Sequence, residues 1–124
     1  MKLIDANVIL RYLLKEPKDQ AEQAKAVVEA GAFTTMEVMA EVVYVLQKVY
    51  MIDRAKISNA VMEISGEISF DEYDILNLAM ELFRTHNLDF VDCVLAARSV
   101  LKKDDVFTFD KKLMSVMKTL NQTN

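Results

Sequence analysis

With 124 residues, 52% of them apolar and 27% charged, the chain has the material for one packed domain and is neither disordered nor fibrous. A net charge of −4, from 15 basic and 19 acidic residues, argues against a protein that grips nucleic acid by its overall field. Two glycines cannot build a P-loop or a dinucleotide-binding fingerprint, one histidine (His86) cannot furnish an H-E-x-x-H zinc site, and no G-x-S-x-G elbow is present.

Residues 2–4 read as a short β run ending at Asp5, followed by a helix over Asn7–Leu14 that stops near Pro17. Asp19–Ala30 is a helix with Ala21, Ala24, Val27 and Val28 on one side. Gly31 ends it, and Ala32-Phe33-Thr34 is a second strand. A third helix runs from Met36 to about Tyr50, where Thr34 and Glu37 have capping-box spacing and Thr34 or Thr35 begins the helix. Asp53 caps a fourth helix through Ile64, and Ile68–Phe70 is a brief strand. Asp71 or Asp74 then opens a helix to about His86. Asp89 caps the next, which reaches Leu101, and Val106–Phe109 is a β run. Lys111–Leu120 is a last helix, with a strand over Val116–Thr119 as the alternative, and Asn121–Asn124 is a frayed tail. Strands alternating with helices over short connections predict an α/β domain with a mainly parallel sheet, spanning residues 1–124 without a linker or repeat. The single cysteine, Cys93, lies in an apolar run, reads as a buried thiol and suits a reducing, cytoplasmic setting. No signal-peptide core or membrane-length apolar stretch is present.

Four acids stand among apolar neighbours. Asp5 follows Leu3-Ile4; Glu41 lies inside Val38-Met39-Ala40-Glu41-Val42-Val43-Tyr44-Val45-Leu46; Asp92 falls within Phe90-Val91-Asp92-Cys93-Val94-Leu95; Asp110 closes Val106-Phe107-Thr108-Phe109. A helix without a polar face is buried, so Glu41 is expected to be shielded from bulk water, and a buried carboxylate needs a cation. Each acid also has an ordinary reading. Asp5 and Asp110 fit helix N-caps, Asp92 fits first-turn charge on a helix, and Glu41 fits an ion pair with Arg11 or Arg98. Together, two acids at strand ends and one in a helix's first turn suit the carboxyl edge of a parallel sheet, where such folds bind ligands. Oxygen donors without His or Cys specify a hard cation, Mg²⁺ or Mn²⁺. Setting those four acids aside leaves 15 against 15 bases, which balances the remaining charge.

These residues resemble the PIN-domain pattern over nearly the whole chain. Leu3-Ile4-Asp5-Ala6-Asn7 is similar to the family's D-x-N motif, Thr35–Val42 to its second acidic motif with Glu41 as the matching acid, Leu88–Ala97 to its third with Asp92, and Thr108-Phe109-Asp110 to its T-x-D. The resemblance implies a PIN-like three-layer α/β/α sandwich and cleavage of RNA with Mg²⁺ or Mn²⁺ held by Asp5, Glu41, Asp92 and Asp110, with Asn7 and Thr108 orienting them. It further implies a homodimer and, by likeness to the VapC-like toxins of toxin–antitoxin pairs, a small antitoxin partner. A PIN-fold binding module without activity is the alternative. Glu37 is assigned to the capping box and Asp89 to the helix N-cap rather than to the metal. Arg11, Arg98, Lys111 and Lys112 are candidates for RNA phosphates, the two lysines reading better as solvated surface. A haloacid-dehalogenase-type phosphatase would want Asp at position 7, where this chain has Asn, and a receiver domain's acidic cluster and lysine are not in the right places.

Overall fold

The computed structural model describes residues 1–122 and resolves the chain into two compact units, Met1–Glu72 and a second beginning at Tyr73. In the first unit the elements run β1 (Lys2–Leu3), α1 (Ala6–Leu14), α2 (Lys18–Ala30), β2 (Ala32–Phe33), α3 (Met36–Lys48) and α4 (Arg54–Glu67). The two strands pair in parallel, Lys2 beside Ala32 and Leu3 beside Phe33, and a parallel bridge joins Phe33 to Ser69. The expected strand at Ile68–Phe70 is thus reduced to one bridge, tied by Ser69 N–H to the Ala32 carbonyl (2.9 Å). The α/β class with a parallel sheet is the one observed, although helix dominates the described residues.

Local chemistry sets the helix starts. The Asp5 carboxylate accepts from Val8 N–H at 3.0 Å, Thr35 Oγ1 from Val38 N–H at 3.3 Å and the Asp53 carboxylate from Lys56 N–H at 2.9 Å, each satisfying an amide that the helix leaves unpaired. The cap of α3 is therefore Thr35. The Thr34 hydroxyl instead donates to the buried Ile4 carbonyl (2.9 Å), so the expected Thr34–Glu37 capping box does not form. Gly31 ends α2 at φ +105°, a conformation that side chains rarely adopt, and sends the chain into β2. Helix α1 packs on α2 and α3, and α3 packs on α4. Ile9, Met39, Val42, Val43, Leu46, Ile57, Val61 and Ile64 form the buried core of this unit.

The second unit contains α5 (Tyr73–Thr85), α6 (Phe90–Leu101) and α7 (Lys111–Gln122). Helix α6 packs on both α5 and α7. Its small buried residues Cys93, Ala96 and Ala97 allow the close approach of α5, which buries Ile75, Leu76, Ala79, Met80 and Phe83. Two strand readings are corrected here. Residues 106–109 form no strand among the described residues; the alternation survives as half-buried Val106 and Thr108 against exposed Phe107 and Phe109. Val116–Thr119 is helical, with Leu113, Val116 and Met117 buried at helix spacing. Asn121 is not frayed: its side chain donates to Ser99 Oγ (3.2 Å) and to the Met117 carbonyl (2.7 Å). Gln122 is the last residue of α7, and residues 123–124 of the expected tail lie outside the described residues. Among the described residues no helix is long and apolar enough to cross a membrane.

Candidate active site

In the first unit, β1 delivers the chain to Asp5, where Ile4 N–H holds the Phe33 carbonyl at 3.0 Å. Asp5 is exposed and caps α1 through one oxygen, which leaves the other without a hydrogen-bond partner among the described residues. The cap reading and a ligand role are thus compatible, one per oxygen. Asn7 is exposed in the first turn of α1.

Glu41 corrects an expectation. It is exposed, not shielded. The apolar count of α3 hid a narrow outer stripe of Glu37, Glu41, Tyr44 and Lys48, spaced by four, three and four residues, while Met39, Val42, Val43 and Leu46 face the core. Tyr44, counted as apolar, is 61% exposed and belongs to that stripe. No ion pair or hydrogen bond engages Glu41 among the described residues. Arg11 donates to the Glu16 carbonyl (3.2 Å), and Arg98 pairs with Asp104 (2.7 Å). Glu37, without a capping box to serve, lies one turn before Glu41 on the same stripe.

In the second unit the acids act on one another. Asp92 stands half-buried in the first turn of α6, with no ion pair among the described residues. Loss of hydration raises its pKa above the ordinary carboxylate value, and the negative charges of Asp110 and Asp89 raise it further. Asp89 occupies the N-cap position of α6 but makes no side-chain cap hydrogen bond, so the capping role assigned to its carboxylate is not realised. Asp110 does cap α7, accepting from Leu113 N–H at 2.9 Å, while its own N–H donates to Thr108 Oγ1 at 3.0 Å. Thr108 thereby fixes the backbone of Asp110 and keeps its hydroxyl proton for another acceptor. The Lys112 ammonium donates to the Asn87 carbonyl (2.7 Å), and Lys111 is exposed. Cys93 is buried, as expected.

The structure brings Asp92, Asp110 and Asp89 into one electrostatic field, while among the described residues no interaction joins Asp5 to Glu41. Among the described residues no three His, Cys, Asp or Glu side chains are gathered closely enough to hold an ion as they stand. The donor chemistry fits a hard divalent cation: the acids offer oxygens only, and Asp92 is an anion disfavoured by its surroundings.

The model of the PIN domain family matches residues 2–118, which takes in all four acids. The chain belongs to the PIN domain family. PIN domains are generally metal-dependent nucleases, and their fold accounts for the parallel strands and surrounding helices seen here. A search of curated proteins finds no match to this PIN chain. Glu37 and Asp89 are the acids that sequence reasoning assigned elsewhere. Their spacing, four residues from Glu41 and three from Asp92, was the signal that set each beside a motif acid.

Proposed function

We propose that the chain is a divalent-metal-dependent endoribonuclease that hydrolyses RNA phosphodiester bonds, the toxin of a toxin–antitoxin pair, acting in the cytoplasm. Residues 1–124 are read as a single PIN domain in which Asp5, Glu41, Asp92 and Asp110 hold Mg²⁺ or Mn²⁺. The observation that carries the reading is Asp92: a half-buried carboxylate in the field of two further acids, with no cationic side chain paired to it among the described residues. A cation would relieve that repulsion.

When bound, the ion supplies charge stabilisation to the phosphoryl group as electrons accumulate on it during hydrolysis. The chain's own contribution is placement. Asp5 and Asp110 are each fixed by a backbone amide through one oxygen, so the other is presented in a set direction. Asp5, Asp92 and Asp110 all sit at helix N-termini, whose positive dipole ends favour carboxylates and phosphate alike. Asn7 and Thr108 orient the ligands by hydrogen bonding, and exposed Lys111 follows Asp110 directly, where a substrate phosphate would need positive charge. A homodimer and an antitoxin are the proposed protein partners. The exposed Tyr44, Val49, Tyr50 and Met51 at the end of α3 support a protein-covered surface there.

The test is cleavage of a mixed RNA pool with and without Mg²⁺ or Mn²⁺, alongside Asp5→Asn and Asp92→Asn. Metal-dependent cutting that vanishes in both variants is expected. Full activity in purified Asp92→Asn overturns the site assignment, and no cleavage by inhibitor-free wild type moves the reading to a binding module.

A further inference from the structure

Helices α1 and α2 enclose a groove of about 270 Å³ that lies wholly within the first unit. Asn7 and Arg11 line it from α1, one turn apart, and Gln20, Gln23, Ala24 and Val27 line it from α2 at helix spacing. The charges of α2 fall elsewhere: Lys18, Glu22 and Lys25 line a different cavity, beside Tyr12. The groove around Arg11 is therefore carboxamide and hydrocarbon, with no carboxylate, in a chain of net charge −4. The guanidinium itself is under-used. Its Nη1 donates to the Glu16 carbonyl at 3.2 Å, no acid pairs with it among the described residues, and its Nε is buried without a hydrogen-bond partner. Nε and Nη2 form an edge that takes an oxyanion in two parallel bonds, and this edge has no acceptor among the described residues. A desolvated donor left unpaired is costly, so an anion on that edge is favoured.

We propose that this groove is a subsite for a phosphodiester group of the RNA strand, held by the Arg11 fork and by the carboxamides of Asn7, Gln20 and Gln23. The inference rests on the ribonuclease reading and deepens it: the groove takes a neighbouring phosphate of the substrate, not the one being cut. Asp5 caps the helix that carries Arg11, and the six residues between them span about 9 Å along the axis. A strand engaged at Asp5 therefore has its next phosphates within reach of Arg11, with Asn7 between the two. Arginine and side-chain amides are among the groups that meet phosphate oxygens in nucleic-acid complexes. A separate small molecule is the poorer occupant, because about 270 Å³ falls below the roughly 300–1,000 Å³ of pockets that enclose drug-sized ligands.

Binding of a fluorescein-labelled single-stranded RNA is measured by anisotropy across a range of salt concentrations, with chelator present to prevent cleavage. Arg11→Gln should weaken binding about tenfold, whatever the sequence of the strand. It should also lower the slope of log affinity against log salt by about 0.7, the share of one phosphate on a single strand. Arg11→Lys keeps the charge and loses the fork, so it should restore the slope but not the full affinity. A merely structural arginine would not move the slope. Gln23→Glu puts an acid in the groove and should weaken binding, which keeps the test standing if Arg11→Gln fails to fold. Lys25→Gln removes one charge from the other face of α2 and should leave the slope unchanged. Equal slopes in wild type and Arg11→Gln, an equal fall in Lys25→Gln, or no RNA binding by wild type overturns the subsite. So does loss of an oligomer in Arg11→Gln with RNA affinity intact, which would make the groove a carboxylate site for a second copy of the chain. Cleavage with Mn²⁺ by the same proteins separates the two readings. A wild type that cuts RNA while Arg11→Gln shares its KM and its slope retains the nuclease and loses the subsite. An Arg11-dependent slope in a chain that cuts nothing does the reverse.

Discussion

Asp5, in the first unit, stands exposed at the end of β1 with one oxygen engaged by Val8. Asp92, in the second, is half-buried against Asp110 and Asp89 and holds its proton more tightly than an ordinary aspartate. The first arrangement costs the fold nothing; the carboxylate even stabilises α1 as its cap. The second is unfavourable for the metal-free protein and favourable only once a cation arrives. In this account, then, Asp5 is a placed oxygen donor, and Asp92 carries most of the drive to bind an ion.

The largest effect expected from this contrast is at Asp92. Asp92→Asn should lower metal-dependent cleavage by about 10²–10³-fold while raising the melting temperature of the metal-free protein. The pH dependence follows from the direction of the shift. Because the folded state raises the Asp92 pKa, that state binds the proton more tightly than the unfolded chain. Its relative stability is therefore fullest below the ordinary carboxylate value and falls as pH rises through the raised one. Melting of metal-free protein across the mildly acidic range should show this fall in wild type and a flatter curve in Asp92→Asn. Matching curves would place the strain elsewhere.

A smaller effect separates capping from ligation at Asp110 and Asp5. Asparagine keeps the cap, so Asp110→Asn and Asp5→Asn should fold with near wild-type stability yet lose cleavage, whereas the alanine variants should lose about 1 kcal/mol as well. Denaturant unfolding beside the cleavage assay reads both. Asparagine variants as unstable as the alanine ones would show that charge, not the cap, is what the helices use. The smallest effect lies on α3. Glu37 and Glu41 are like charges one turn apart, so neutralising either should stabilise the helix by roughly 0.2–0.5 kcal/mol. Only Glu41→Gln should also impair cleavage; if Glu37→Gln does so instead, the ligand on α3 is Glu37.

Much of the architecture was legible because helix signals are local. Asp53, Gly31 and Pro17 punctuate the chain where the structure turns, and α1, α2, α4 and α6 fall within a few residues of their expected bounds. The strands were less so. Lys2–Leu3 and Ala32–Phe33 are strands because they find each other, whereas Val106–Phe109 is not a strand among the described residues; pairing is a non-local fact that periodicity does not contain. The site shows the same division. The cap readings of Asp5 and Asp110 hold, since a cap needs only the next three residues. The exposure of Glu41 was misjudged because a tyrosine and a lysine complete its stripe. The choice of Thr35 over Thr34 as cap turned on the distant Ile4 carbonyl.

The most direct measurement is a thermal-shift titration with Mn²⁺ on wild type and Asp92→Asn, in the absence of RNA. Wild type should gain stability progressively, by about 2.7 kcal/mol when the ion reaches a hundred times its Kd, and Asp92→Asn should gain far less. An equal shift in both proteins, or none in wild type at millimolar Mn²⁺, would contradict the claim that Asp92 is the anion at the centre of a cation site.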